Sequence, residues 1–333
     1  MRVVKVILGL AILAMALTYG GYRYWQAQLA MPLAIDEPVL YEVPEGAGLY
    51  RVIEDLADQE VIAATWPYRV LIHLEPESLP QLRQGEYRLD PQMNGRDLLA
   101  HLGSGDVVTY SITFPEGWTF RQIREALAAA PKLAHDTTAL TPAELMAKLD
   151  SDVEHPEGWF FPDTYRYHKG MSDLDILRQS HRRMRETLEE IWRERDEDLP
   201  LESSYDALIM ASLIERETGV PEERPAIAGV FIRRLERGMR LQTDPTVIYG
   251  MGDSYDGNIT RADLREETPY NTYVIDGMPP TPIAMPGRGA LEAAVNPEEG
   301  DALYFVSRGD GSHHFSSSLQ EHNAAVRRYI LNR

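Results

Sequence analysis

SYDALIMASLIERETG, residues 204–219, sets the frame for the rest of the chain. It has the start and stop signals of a helix: Ser203 or Ser204 as N-cap, Gly219 as a left-handed C-cap, and Pro221 to prevent continuation. At about 100° per residue, Ala207, Leu208, Ala211 and Ile214 form one stripe, and Glu215 falls inside it beside Leu208 and Ala211. Ile209, Met210 and Leu213 extend the apolar surface nearly all round, so the helix reads as buried. Burial disfavours a charged carboxylate, which makes Glu215 a candidate proton donor near neutral pH. Glu217, on another face, is expected to reach the helix end or to pair with Arg216, Arg224 or Arg233. The competing expectation is that Glu215 itself is half of a structural ion pair.

Downstream, a second helix is expected from about Glu222 to Arg237, closed by Gly238. Asp244-Pro245 is a further helix start, set in a run where Gln242, Thr243, Asp244 and Thr246 alternate with apolar residues. The long irregular stretch PYNTYVIDGMPPTPIAMPG, residues 269–287, is of a kind that a compact domain orders for a functional reason.

Composition narrows the classes. A chain of 333 residues suits one large or two moderate domains. A formal net charge of −19 argues against nucleic-acid binding, which needs a basic surface to displace counterions from phosphates. The absence of cysteine rules out disulfides, thiolate nucleophiles and thiolate metal sites.

At the amino terminus, the uncharged, mostly apolar run from Val6 to Tyr22 is close to the roughly 17-residue lower limit for a membrane-spanning helix. Arg2 and Lys5 precede it, and Tyr19, Tyr22, Tyr24 and Trp25 gather at its far end as an interfacial belt would. Residues 1–25 are therefore expected to be an anchor that enters the membrane through residues 3–22, with the body exported. The alternative is a cleaved signal peptide, because Ala14-Met15-Ala16 resembles a cleavage site. Residues 26–38 read as a linker. Residues 39–105 follow a β-α-α-β order: strand VLYEV, helices over 48–59 and 66–74, strand GEYRL, then a helix capped by Asn94.

Pro44-Glu45-Gly46 and Pro115-Glu116-Gly117 each precede an amphipathic helix, and both copies read as strand, turn, helix. Thr119 with Gln122 and Thr141 with Glu144 fit capping boxes. A third Pro-Glu-Gly opens EGWFFPDTYRY, in which Trp159, Phe160, Phe161 and Tyr165 could stack on sugar rings or simply be core. Residues 171–197 read as a long charged helix with one inward apolar face. LYFVS and HHFSSS flank a turn as a β-hairpin, and Ser318 starts a last helix. The spacing of His313, His314 and His322 matches no standard metal site, so no metal is expected there.

The segments ASLIERETG, VFIRRLERGMRLQTDPTVIYGMG, ITRADL, YNTY, GMPPTPIAMPG and LYFVS, in this order, resemble the endolytic murein transglycosylase or YceG-like family over most of residues 105–333. The resemblance implies an α+β protein: a transmembrane helix, a small LysM-like subdomain over 39–105, and a larger mixed α+β catalytic domain over 106–333. It implies a lytic transglycosylase that cuts the MurNAc-GlcNAc β-1,4 bond of nascent peptidoglycan strands and leaves 1,6-anhydroMurNAc ends. Glu215 would be its single acid and then base, with no metal or organic cofactor needed, at the periplasmic face of the inner membrane, with cell-wall synthases as candidate partners. Gln242, Thr243, Asp244, Tyr249, Asn271 and Tyr273 would position sugar, Glu157, Trp159 and Asp163 would border the glycan cleft, and His314 or Asn323 would add a contact. Two alternatives stand: a muramidase using Asp244 as a second carboxylate, and a glycan-binding scaffold without catalysis.

Overall fold

The structure is a computed structural model and describes residues 2–331. In chain order the elements are α1 (Arg2–Leu29), β1 (Val39–Val43), α2 (Leu49–Asp58), α3 (Trp66–Leu74), β2 (Gly85–Leu89), α4 (Gly95–Ser104), β3 (Thr109–Thr113), α5 (Phe120–Ala129), α6 (Pro142–Lys148), β4 (Thr164–His168), α7 (Asp173–Arg193), α8 (Ser204–Glu217), α9 (Arg224–Glu236), α10 (Asp244–Met251), α11 (Arg288–Val295), β5 (Tyr304–Ser307), β6 (His313–Ser316) and α12 (Leu319–Tyr329). The mixed α+β class expected from the sequence is observed. β1 pairs with β2, β3 with β4 and β5 with β6, so each sheet has two strands. Two compact units result: the chain through Tyr110 with His168–Gly170, and Ser111–Tyr167 with the chain from Met171 onward. The division falls inside β3 rather than at residue 105.

In the first unit β1 and β2 run antiparallel, with Val39 opposite Leu89 and Val43 opposite Gly85, and α2 and α3 lie between them in sequence. Alternation along the strands sends Tyr41, Val43, Tyr87 and Leu89 inward against Val52, Ile53 and Leu56 of α2 and Leu98 and Leu102 of α4. Gly85 has a φ of +137°, and Val107 fills the space where a side chain would go. α1 is long and apolar enough to cross a membrane, and its side chains from Val3 to Tyr24 are largely exposed.

The expected linker over 26–38 takes a different form. Trp25, Leu29 and Leu33 are buried in this unit's core, the Trp25 indole N–H donates to the Pro67 carbonyl (2.8 Å), and Leu33 and Ala34 donate backbone bonds to Met93 and Val61. The helix continues through Leu29, so Trp25 is a core residue at the end of α1 and the segment is fixed to the fold.

In the second unit α8 is the central rod. Leu208, Met210, Ala211, Leu213 and Ile214 are fully buried against Met184, Leu188 and Ile191 of α7, Ile227, Ala228 and Phe231 of α9, and Ala290, Leu291 and Ala294 of α11. A helix apolar all round must be covered on every side, and three helices do so. Ser203 caps it in a capping box with Asp206. Its end differs from expectation: Thr218 is extended, and Gly219 does not take a left-handed conformation. α7 is also shorter than the 171–197 charge pattern suggested; Ser172 caps it at its start, and it ends at Arg193.

All three Pro-Glu-Gly turns place their glycine at left-handed φ: +68° at Gly46, +77° at Gly117 and +84° at Gly158. The capping boxes at Thr119 and Thr141 are both formed. Phe160, Phe161 and Tyr165 are core: Phe160 stacks on Phe120 at 5.3 Å, and the Tyr165 hydroxyl donates to the Phe161 carbonyl.

Candidate active site

α8 ends with two glutamates in opposite circumstances. The Glu217 carboxylate accepts a hydrogen bond from the Thr243 hydroxyl (2.7 Å) and lines a cavity of about 440 Å³ within the second unit. Burial raises its pKa from the ordinary carboxylate value to about 7, against the lowering pull of the Thr243 bond; Asp244 raises it further, while His313 and Arg234 lower it. Such a group exists in both protonation states near neutrality and can give or take a proton.

The chain reaches Glu217 through local geometry. Gln242 stands at a φ of +52° and its N–H donates to the Thr272 carbonyl, while the Thr243 N–H donates to the Thr272 hydroxyl (3.0 Å). This turn delivers Thr243, which is buried, onto Glu217 and starts α10 with Asp244. Asp244 accepts a 2.6 Å hydrogen bond from the Tyr273 hydroxyl, and burial, then that carboxylate, raises the phenol's pKa. Gln242, Asp244 and Tyr273 all line the cavity with Glu217.

The opposite wall comes from the β5–β6 hairpin and α12. Tyr304, His313 and His322 line it; His322 stacks on Tyr304 at 5.3 Å, and its Nδ1 is buried without a hydrogen-bond partner. Arg234 is buried, donates to the carbonyls of Leu303 (2.7 Å) and Leu241 (2.8 Å), and lies over the Tyr304 ring. Its guanidinium therefore ties the hairpin to the Gln242 turn at the cavity wall. From the sequence, Glu217 is expected at the helix end or in an ion pair, His313 and His322 are weighed only as metal ligands, and Arg234 is not singled out. His314 packs on Tyr329 and Asn323 is exposed, and neither lines the cavity, whereas their neighbours His313 and His322 do.

Glu215 does not line the cavity. One of its oxygens accepts from Arg224 (3.1 Å) and the other from the backbone N–H of Gly287 (3.0 Å), with the side chain only 6 % exposed. Arg224 also reaches Glu116 (3.2 Å). Burial raises the Glu215 pKa, and the Gly287 bond and Arg224 oppose the rise. Gly287 is the N-cap of α11, so this network pins the end of the PPTPIAMPG loop to α8. The ion-pair expectation weighed against the proton-donor one describes this geometry.

The remaining candidates separate into positions with distinct work. Glu157 is buried, accepts from the Phe120 N–H (2.8 Å) and the Tyr249 hydroxyl (3.0 Å), and has its pKa pushed by burial to about 7. Glu157 and Tyr249 line a second cavity, of about 600 Å³, with Phe120, Arg121 and Arg124. Asn271 is buried away from the first cavity; its amide donates to the carbonyls of Asp263 and Glu266 and its oxygen accepts from the Tyr273 N–H, so it organises the loop that presents Tyr273. Trp159 stacks on Tyr205 at 5.8 Å against the core, and Asp163 pairs with Arg183 and accepts from the Thr164 N–H. Neither lines either cavity. Among the described residues no cluster of three or more His, Asp or Glu side chains is arranged to hold a metal ion.

A cavity walled by the ends of several helices and a hairpin, with a carboxyl poised near neutrality and tyrosine and carboxylate groups around it, is the arrangement of a proton-transfer enzyme acting on a polar substrate. The model of the YceG-like family matches residues 41–328, and the chain belongs to that family. It is 30% identical over 341 residues to the "Endolytic murein transglycosylase" of Bacillus subtilis, across 94% of this chain and 91% of that protein. It is 28% identical to the protein of the same name from Streptococcus pneumoniae, across 94% of this chain and 63% of that one. The crystal structure of a yceG-like protein from Listeria monocytogenes superposes with a TM-score of 0.54 at 29% identity, covering 87% of this chain and 99% of that one.

Proposed function

We propose that this chain is an endolytic murein transglycosylase whose acid is Glu217. The observation that carries the reading is a carboxyl with a pKa near 7, held by Thr243 in a cavity with Gln242, Asp244 and Tyr273. The names of the relatives supply the substrate, peptidoglycan glycan strands, and the endolytic cut. Protonated Glu217 gives its proton to the oxygen between MurNAc and GlcNAc as the C1–O bond breaks. The MurNAc 6-hydroxyl oxygen then bonds to C1 and gives its proton to the Glu217 carboxylate, which restores the acid and leaves a 1,6-anhydroMurNAc end. No water is consumed, and one carboxyl that can both give and accept a proton suffices for the cycle. Asp244 and Tyr273 hydrogen-bond the sugar, while Glu215 holds the loop before α11.

α1 serves as a single-pass anchor in the inner membrane, with the rest of the chain on the periplasmic side, where newly made strands and their synthases work. The β-α-α-β arrangement of the first unit supports a LysM-like glycan-binding role for it. The test is mass spectrometry of glycan strands digested by the full-length chain. Ends lighter by one water, lost in Glu217→Gln and retained in Glu215→Gln, are expected. Hydrated ends would instead make Asp244 the second carboxylate of a hydrolase. Glycan binding without cleavage would make the protein a scaffold.

A further inference from the structure

In the first unit, the end of α1 and the start of α3 meet at a level that helix geometry fixes. A hydrocarbon core of about 30 Å is spanned by roughly 20 helical residues at 1.5 Å each, which residues 3–22 of α1 supply. Trp25 lies three residues further on, about 4.5 Å beyond the hydrocarbon edge, within a headgroup layer that is roughly 5–7 Å deep on each side. Tilting α1 brings it closer still. Yet Trp25 faces protein and not lipid: it is buried in the core of this unit, with its indole N–H on the Pro67 carbonyl (2.8 Å). The residues that cover Trp25 must therefore stand at headgroup level too.

What this junction turns outward suits that level. Trp66, next to Pro67, is 39 % exposed, and its ring stacks on Tyr24 of α1 at 5.9 Å with 10° between the planes. Tyr22 and Tyr24 are both exposed, and Tyr22 lies edge-on against Trp25 at 5.7 Å. Aromatic rings that carry a polar atom settle at the membrane interface. Arg23 between them is exposed, and its guanidinium has no ion pair or hydrogen bond among the described residues. It is the only charged residue between Lys5 and Asp36. A planar guanidinium at that level matches the phosphate of a lipid headgroup.

We infer that the first unit is seated on the bilayer surface, with Tyr22, Tyr24 and Trp66 in the headgroup layer and Arg23 on a phospholipid phosphate. The inference rests on the reading of α1 as a membrane anchor. It adds that the unit rides at a fixed level and does not swing on a tether. Trp25, Leu29 and Leu33 all enter its core, and Leu33 and Ala34 are bonded through their backbone to Met93 and Val61, so α1 and the unit are joined without a free segment between them. An exposed, stacked Trp-Tyr pair also suits a sugar ring. The position of this pair, beside a residue about 4.5 Å from the hydrocarbon edge, favours lipid.

The test places the full-length chain in phosphatidylcholine vesicles whose lipids carry a nitroxide quencher either on the headgroup or at mid-chain. Because the chain has five tryptophans, the Trp66 emission is taken as the difference between wild type and Trp66→Phe. The headgroup nitroxide should remove most of that emission and the mid-chain nitroxide little of it. About seven polar, helix-forming residues inserted after Tyr22 lift the unit by about 10 Å on nearly the same helix face, and should restore the emission. Trp66 emission untouched by the headgroup nitroxide overturns the inference, as does quenching that survives the insertion. Unquenched emission that shifts on adding glycan fragments overturns it in favour of a sugar site. A fluorophore on Leu13→Cys, in a chain with no other cysteine, checks the parent reading: if the mid-chain nitroxide leaves it bright, α1 is no anchor. A quenched label at position 13 beside unquenched Trp66 overturns this inference alone.

Discussion

Glu217→Gln should stabilise the second unit above neutral pH while abolishing its chemistry. Folding raises the Glu217 pKa from an ordinary 4.5 to about 7. The folded state therefore binds this proton more tightly than the unfolded chain, and stability falls as pH rises through the window between those values. A rise of roughly 2.5 units at about 1.36 kcal/mol each amounts to a penalty of about 3 kcal/mol, complete above pH 7. Glutamine is neutral throughout, and its amide oxygen still accepts the Thr243 hydroxyl, so the variant loses the penalty without losing the bond. Because the chain has two units, a single melting temperature is a poor measure. Hydrogen exchange along a urea series, read on peptides spanning α8, follows the unit that carries Glu217. Wild type should lose stability from pH 4.5 to 7, because Glu217 and Glu157, whose pKa is also raised to about 7, together outweigh His181, whose pKa burial lowers to about 4 and whose contribution rises over the same window. Glu217→Gln should remove about 3 kcal/mol of the change between pH 4.5 and 7. An unchanged slope in the variant would mean that Glu217 is not desolvated by the fold, and the argument for it as acid would go with it.

Glu215→Gln should destabilise α8 and α11 by roughly 2 kcal/mol, since it leaves Arg224 with only Glu116, while anhydro ends still form; exchange kinetics and product masses read the two effects separately. Thr243→Val removes the hydroxyl that stabilises ionised Glu217, so the Glu217 pKa should rise further and the alkaline limb of the kcat profile should move to higher pH. Insertions within residues 29–33 should unfold the first unit, because Leu29 and Leu33 are in its core. Roughly seven residues added to α1 before Trp25 lengthen the helix by about 10 Å and, if the anchor sets the reach of the cleft, should change the length of released glycan strands.

What the sequence disclosed and what it withheld follow one physical division. Caps and turns are decided within four residues, and the boxes at Thr119, Thr141 and Ser318 and the Pro-Glu-Gly turns all form as their local chemistry dictates. The choice between Glu215 and Glu217 is not local. Periodicity put Glu215 in an apolar stripe, but α8 is covered on nearly every side, so lying in a stripe does not tell the cavity side from the core side. The choice is made by Thr243, 26 residues away along the chain, and by Gly287, 72 residues away, each bonding one glutamate and not the other. The histidines repeat the lesson. Alternation in a strand requires that His313 and His314 point opposite ways, yet only Glu223, 90 residues distant, fixes which of them faces the cavity. The expected linker failed for a related reason. Trp25, Leu29 and Leu33 are too few and too widely spaced to stand out beside the apolar run before them, and only the core they enter reveals their burial. A catalytic residue is defined by what surrounds it. In a chain whose central helix is buried all round, those surroundings come from distant segments, so the site is the part of this protein least visible in any one stretch of its sequence.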